Sequence, residues 1–245
     1  MREEEKVGYL TGFHAIEERI KSGKQCGAIL LAKAGPRARD ILSLAADYKI
    51  PVNRIGTHDL DQYAPDHRGI ALEVADIAGG VEISLAEFTA GLGDRKDALA
   101  VILDEITDPH NYGAILRSCD QFGADLVVTR NRRSAKNAEV ISKTSAGAVD
   151  WVPTAEVANL PRAIEDLKDA GFWIYGADMA GKAAYDMDLQ GRVALILGSE
   201  GEGISRLLRD RCDGMIGIPS QGRIDSLNVS VAAGVLLYEV VRQRS

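Results

Sequence analysis

Asp108-Pro-His-Asn-Tyr-Gly-Ala-Ile-Leu-Arg117 stands a few residues after the apolar run Leu99–Leu103. This pattern, a strand-length apolar run leading to a polar turn and a helix start, occurs twice more. Val193–Leu197 leads into Leu197-Gly-Ser-Glu-Gly-Glu-Gly203, and Met215–Ile218 into Ile218-Pro-Ser-Gln-Gly-Arg-Ile-Asp-Ser-Leu-Asn-Val-Ser230. Working outward, further strands are expected at Leu126–Val128 and Phe172–Gly176. Helices are expected at His110–Phe122, Asn137–Ala146, Val157–Ala170, Ser205–Arg211 and Ser226–Arg242. Strands that alternate with helices imply an α/β domain whose parallel sheet is covered on both faces. Three polar turns in one such domain would place backbone N–H groups and a few side chains around one pocket.

Each turn carries its own chemistry and a plainer alternative. Asp108 suits an N-cap and Pro109 the first helical position, which puts Asn111 in the first turn. Arg117 lies six residues on, about 120° around the helix. Asn111 could serve as a capping residue only, and Arg117 as one half of a surface ion pair. In Gly198–Gly203 the spacing is neither the dinucleotide fingerprint nor a Walker loop. Its glycines permit positive φ and close approach of a ligand; the alternative is an acidic surface turn. Ser226 is read as the N-cap of the last helix, with Asn228 beside it at the same mouth. After the strand Leu126–Val128 come Thr129 and the basic stretch Arg130-Asn-Arg-Arg-Ser-Ala-Lys136, with Lys143 beyond. Arg130, Arg132, Arg133, Lys136 and Lys143 are candidates for RNA phosphate contacts, or else a solvated loop.

In order and content the three segments resemble the motifs of the SpoU (TrmH-type) RNA ribose 2′-O-methyltransferases. The matching residues are Asn111 and Arg117; Gly198, Glu200, Gly201 and Gly203; and Ser226, Leu227 and Asn228. The resemblance covers roughly residues 98–245. It implies a trefoil-knotted methyltransferase domain of the SPOUT type, although chains are generally unknotted. It also implies S-adenosylmethionine as cofactor, S-adenosylhomocysteine as product and no metal. Catalytic roles fall on Arg117, Asn111, Glu200, Ser226 and Asn228. Cofactor contacts fall on Thr129, Gly198, Glu200, Gly201, Ile218, Leu227 and Asn228. Glu200 and Glu202 would repel a phosphate-rich ligand but tolerate a sulfonium cation. Arg117 is the residue to which the resemblance assigns activation of the hydroxyl. A free guanidinium is a poor base, so stabilising the developing alkoxide or binding the neighbouring phosphate is the physically easier role.

Residues 8–75 resemble, more loosely, the small RNA-binding domain that precedes the catalytic domain in one branch of that family. The cues are Gly12-Phe-His-Ala-Ile16 and Asp66-His-Arg-Gly-Ile70. This implies an α/β, ribosomal-protein-L30e-like unit over 1–76, a linker over 77–97 with at most one short helix around Leu85–Phe88, and the methyltransferase domain over 98–245. Within the small unit, Ala28–Ala32, Ile50–Ile55 and Ile70–Val74 suit strands and Arg37–Tyr48 a helix. Lys21, Lys24, Lys33, Arg37 and Arg39 are its candidate phosphate contacts. The two resemblances together imply 23S ribosomal RNA as substrate, with a guanosine ribose as target.

The 245 residues are 46% hydrophobic and 27% charged, the composition of an ordinary globular protein. A net charge of −7 argues against a non-specific nucleic-acid binder but leaves room for a local basic face. No apolar run reaches the roughly 20 residues of a membrane helix, and no secretory signal is visible. Cys26, Cys119 and Cys212 suit a reducing cytoplasm. None of the four histidines stands at metal-ligand spacing. The last helix has almost no polar face, so at least two of its faces must be buried: a homodimer through 226–242 is expected, the alternative being a central helix buried within one domain. Three rival functions are the same chemistry on transfer RNA, a non-catalytic RNA-binding factor, and a Rossmann-type oxidoreductase. The glycine spacing counts against the last, and the presence of a cofactor turn against the second.

Overall fold

The run Ala98-Leu-Ala-Val-Ile-Leu103 is buried at every position, as a strand covered on both faces of a parallel sheet must be. The computed structural model describes residues 8–64, 67–75, 81–130, 135–222 and 226–245, with the side chains of 135–137 and 139 outside the description. The chain opens with β1 (Gly8–Leu10), α1 (Phe13–Lys21), β2 (Ile29–Leu31), α2 (Pro36–Asp47), β3 (Val52–Arg54), α3 (Thr57–Tyr63) and β4 (Ile70–Val74). Next come β5 (Val81–Glu82), α4 (Leu85–Gly91), β6 (Ala98–Leu103), α5 (Pro109–Gln121), β7 (Leu126–Arg130) and α6 (Ala135–Thr144). Then follow β8 (Pro153–Val157), α7 (Leu160–Asp169), β9 (Trp173–Ala183), β10 (Arg192–Leu197), α8 (Arg206–Arg209), β11 (Gly214–Gly217) and α9 (Val229–Arg244).

Two compact units result. Among the described residues the first takes 8–64, 67–75 and 135–151, and the second takes 81–130, 152–222 and 226–245. In the first unit a four-stranded sheet runs β1-β4-β2-β3, antiparallel except for the parallel β2–β3 pair. Leu10, Ile16, Ile20, Ile29, Ile41 and Leu72 form its main core. The segment 135–151 closes this unit. Arg19 of α1 and Asp150 are only 3% and 0% exposed as side chains, and Arg19 Nε lies 3.2 Å from the Asp150 carboxylate. Lys24 Nζ reaches the same carboxylate at 3.1 Å. Trp151 Nε1 donates to Glu18 at 2.9 Å. Gly147, at φ +92°, passes so near α1 that a Cβ there would fall 2.5 Å from the Cβ of Glu18.

The second unit is built on seven strands in the order β11-β9-β10-β6-β7-β8-β5, all parallel. On one face Ala98, Ala100, Ile102, Ala194 and Ile196 meet Leu85, Phe88 and Leu92 from α4 and its end, and Leu160, Ile164 and Leu167 of α7. The segment 81–97, read from the sequence as a linker, is therefore part of the sheet unit. β5 pairs with β8, and α4 starts in a capping box between Ser84 and Glu87. The expected helix over Val157–Ala170 begins later, at Leu160, because Asn159 caps it and 153–157 form β8. At the opposite end of the sheet from the polar turns, Arg192 donates to the carbonyls of Gly93, Arg95 and Ala170, and Arg244 to those of Ala98 and Gly191.

α9 packs on α5 with Ala233, Leu236, Leu237 and Val240 buried. Its other apolar residues Val231, Val235 and Tyr238 remain 51%, 42% and 55% exposed. The three cysteines are free, and burial pushes the thiol of Cys119 in α5 up to about 12. Among the described residues no helix is long and apolar enough to cross a membrane.

Candidate functional site

β6, β10 and β11 deliver the three polar turns at the carboxyl end of one parallel sheet, where α/β proteins bind ligands. Asp108 caps α5 by accepting the N–H of His110 at 3.1 Å, and Pro109 occupies the first turn. Asn111 is thereby presented half-buried at the mouth of the helix.

The turn after β10 folds tightly on itself. Ser199 and Gly203 exchange backbone hydrogen bonds at 3.1 and 2.9 Å. A Cβ on Gly198 would sit 2.1 Å from the carbonyl carbon of Gly203, so only glycine fits there. Gly201 and Gly203 lie at φ +91° and +69° and open onto free space. The turn is anchored by a residue that the sequence reading missed. Asp104, only 4% exposed, closes β6, and its carboxylate accepts the N–H of Ser205 at 2.7 Å. A lone aspartate after a buried strand carries no signal by itself; only the fold brings it to residue 205.

The third turn corrects one expectation. The N-cap of α9 is Asn228, not Ser226. Asn228 Oδ1 accepts the N–H groups of Ser230 and Val231 at 3.0 and 3.4 Å and the Ser230 hydroxyl at 2.6 Å. The amide oxygen is thus committed to the helix, which leaves the NH2 group to face the site. That group donates to Glu200 at 2.6 Å and to Asn111 Oδ1 at 2.9 Å, while Asn111 Nδ2 donates to the same Glu200 oxygen at 3.1 Å. One residue from each of the three segments closes this triangle. Replacing Asn228 by Asp should keep the cap, because Asp is as good an N-cap as Asn. It should also open the triangle, since two carboxylates would then face each other. The expected outcome is a thermal midpoint within a few degrees of wild type with ligand binding at this mouth strongly weakened. Wild-type ligand binding by Asn228→Asp would count against a role for the triangle.

Other candidate residues lie around this junction or away from it. Ser226 and Leu227 are exposed and Ile218 is half-buried. Thr129, next to last in β7, pairs with Leu103. Arg117 is exposed on α5 and makes no hydrogen bond or ion pair among the described residues. Arg130, exposed, ends β7 in the second unit, whereas Lys136 and Lys143 belong to α6 in the first. Arg132 and Arg133 lie outside the described residues, as does the side chain of Lys136. In the small unit, Lys21 pairs with Glu17 and Lys24 with Asp150, so internal acids neutralise these two phosphate candidates. Among the described residues no group of three His, Cys, Asp or Glu side chains is placed to hold a metal ion.

A parallel sheet with three Gly- and Asn-bearing turns joined at its carboxyl edge defines an α/β protein with a ligand site at that edge. Residues 98–238 match the SpoU rRNA Methylase family, and residues 9–78 match the family of RNA 2′-O ribose methyltransferase substrate-binding domains. The chain belongs to the SpoU rRNA methylase family. A relative from Xanthomonas campestris pv. campestris, named 23S rRNA (guanosine-2′-O-)-methyltransferase RlmB, is 40% identical over 242 residues, 96% of each chain. An uncharacterized tRNA/rRNA methyltransferase from Borreliella burgdorferi is 40% identical over 218 residues, 86% of this chain and 96% of its own. The fold is similar to a crystal structure of an RNA 2′-O ribose methyltransferase, with a TM-score of 0.81 at 24% identity over 98% of this chain and 90% of that one. It is also similar to the SpoU methyltransferase AviRb from Streptomyces viridochromogenes in complex with AdoMet, with a TM-score of 0.74 at 24% identity over 97% and 90%.

Proposed function

We propose that this chain methylates the ribose 2′-hydroxyl of a guanosine in 23S ribosomal RNA, using S-adenosylmethionine. The observation that carries the reading is the Asn111–Glu200–Asn228 triangle, which ties all three family motifs into one mouth. The relative named RlmB supports the choice of 23S RNA and guanosine.

The residues at the mouth fit the cofactor. Gly201 and Gly203 leave open the space that side chains would fill. Leu227, 49% exposed, and half-buried Ile218 offer apolar surface for an adenine. Gly198 keeps the turn closed, and Thr129 lines the neighbouring strand end. The exposed acids Glu200 and Glu202 suit a cationic sulfonium.

When bound, S-adenosylmethionine supplies a methyl group already activated by its sulfonium. The chain's own task is then alignment of the ribose hydroxyl and removal of one proton. The triangle fixes the entry of α9 against α5 and the glycine turn, and Asn111 and Ser226 orient the ligands at its rim. Arg117 stabilises the negative charge that develops on the 2′-oxygen, or holds the adjacent phosphate while water or that phosphate takes the proton. Arg130 and Lys143, with Arg132, Arg133 and Lys136, contact RNA phosphates. An RNA substrate places the protein in the cytoplasm.

The exposed apolar face Val231, Val235 and Tyr238 of α9 mates with a second copy of the chain, giving a homodimer. Light scattering at micromolar concentration should give twice the chain mass, and Val235→Asp with Tyr238→Asp should give a monomer. A wild-type monomer would sink the dimer.

Transfer of labelled methyl to unmodified 23S and transfer RNA transcripts tests the function, with the labelled position mapped by resistance to alkaline cleavage. Label on a 23S ribose is the expected result. Label on transfer RNA alone would replace the substrate. Absence of both transfer and cofactor binding would overturn the reading.

A further inference from the structure

Three neighbouring strand ends in the first unit carry cations that have no acidic partner among the described residues. β2 lies between β3 and β4, with its Leu31 opposite both Arg54 and Ile70. Lys33 stands just beyond β2, and Arg68 just before β4. The two loops are tied together, because the N–H groups of Ala32 and Lys33 both donate to the Gly69 carbonyl, at 2.9 and 3.0 Å. Lys33, Arg54 and Arg68 therefore share one end of the sheet. All three are exposed, and none has a hydrogen-bond or ion-pair partner for its side chain among the described residues. Several other cations of the unit have acidic neighbours: Lys21 pairs with Glu17 and Lys24 with Asp150, and Arg37 lines a groove with Glu17 and Asp40. Among the described residues, two acids near this end are occupied: Asp59 folds back against Gly56, and Asp61 is engaged by His67.

The loop that carries Arg68 is held in place. His67 is 7% exposed. Its Nδ1 accepts the N–H of Gly69 at 2.6 Å, so the ring proton sits on Nε2, 3.0 Å from the Asp61 carboxylate. Between these two anchors Arg68 adopts φ +48°, the left-handed region that L side chains occupy at a cost. A buried histidine thus keeps a long cationic side chain in a conformation that glycine would hold more easily, at the end of the sheet that also carries Lys33 and Arg54.

We infer that Lys33, Arg54 and Arg68 form a contact for the phosphate backbone of the RNA substrate, on a loop preset by His67. The inference rests on the function proposed above and adds to it the face by which the small unit takes hold of RNA. Charged contacts of this kind release counterions, so each one steepens the salt dependence of binding.

The test is binding of the full chain to an unmodified 23S RNA transcript across a salt series, comparing wild type with K33S/R54S/R68G. Serine is tolerated at exposed positions, and glycine at residue 68 relieves the left-handed strain, so folding is retained; unchanged affinity for S-adenosylhomocysteine checks this. Near 0.1 M salt the variant should bind RNA about 10²-fold more weakly, and its log–log salt slope should be shallower by about 2–3. An unchanged affinity and slope would overturn the inference while leaving methyl transfer by the wild type intact. Patch-dependent RNA binding without any methyl transfer would uphold the inference and overturn the enzymatic reading. If poly-glutamate displaced wild type as well as the variant loses RNA, the partner would be an acidic protein, and the assignment to RNA would fall.

Discussion

Arg117→Ala is expected to lower methyl transfer by about 10²–10³-fold, the usual cost of removing one group that stabilises charge developing in a transition state. Nothing in the fold depends on this side chain. It is exposed on α5 and has no partner among the described residues, so the variant should unfold within about 0.5 kcal/mol of wild type. It makes no hydrogen bond to Asn111, Glu200 or Asn228, so S-adenosylhomocysteine should bind with unchanged affinity. Loss of rate with both controls unmoved separates a chemical role from a structural one. Arg117→Lys divides the remaining possibilities: a point charge near the oxygen would be partly kept, whereas bidentate grip on a phosphate would be lost. Single-turnover transfer of labelled methyl decides the matter, and a rate for Arg117→Ala within a fewfold of wild type would remove Arg117 from the mechanism.

Asp150→Ala should be the most damaging substitution to stability, by about 3–5 kcal/mol, because it strands a buried guanidinium without its carboxylate. Both side chains of the Arg19–Asp150 pair are sealed from water, and Lys24 shares the same carboxylate. The effect should fall on the first unit, although residue 150 lies in the stretch matched by the methylase family. Urea denaturation measures it. The double variant Arg19→Met with Asp150→Ala should recover much of the loss, since an apolar pair does not leave a bare charge. A single-variant loss below about 1 kcal/mol would mean that water or another group already compensates Arg19.

Much of the architecture can be read from local pattern alone. β6 and β10 announce themselves as unbroken apolar runs, since strands covered on both faces have no polar side. Asp108-Pro109 marks the start of α5 through cap chemistry confined to a few residues. Short elements were harder. β1, β8 and α3 span three, five and seven residues, too few for a period to emerge. β5 is two residues long and is a strand only because β8 lies beside it.

The sequence by itself marked the three motifs, because Asn111, the Gly198–Gly203 turn and Asn228 stand in recognisable local settings. Only the tertiary structure decided how they engage. Asn228 rather than Ser226 caps α9, because its oxygen reaches two backbone N–H groups while its NH2 is drawn toward Glu200, a residue 28 positions away. Likewise only the fold pairs Asp104 with residue 205, buries Arg19 against Asp150, and brings Lys33, Arg54 and Arg68 to one strand end. Hydrophobic period and caps act over a few residues and are written locally, whereas hydrogen bonds and charge pairs across the chain depend on packing that no local pattern encodes.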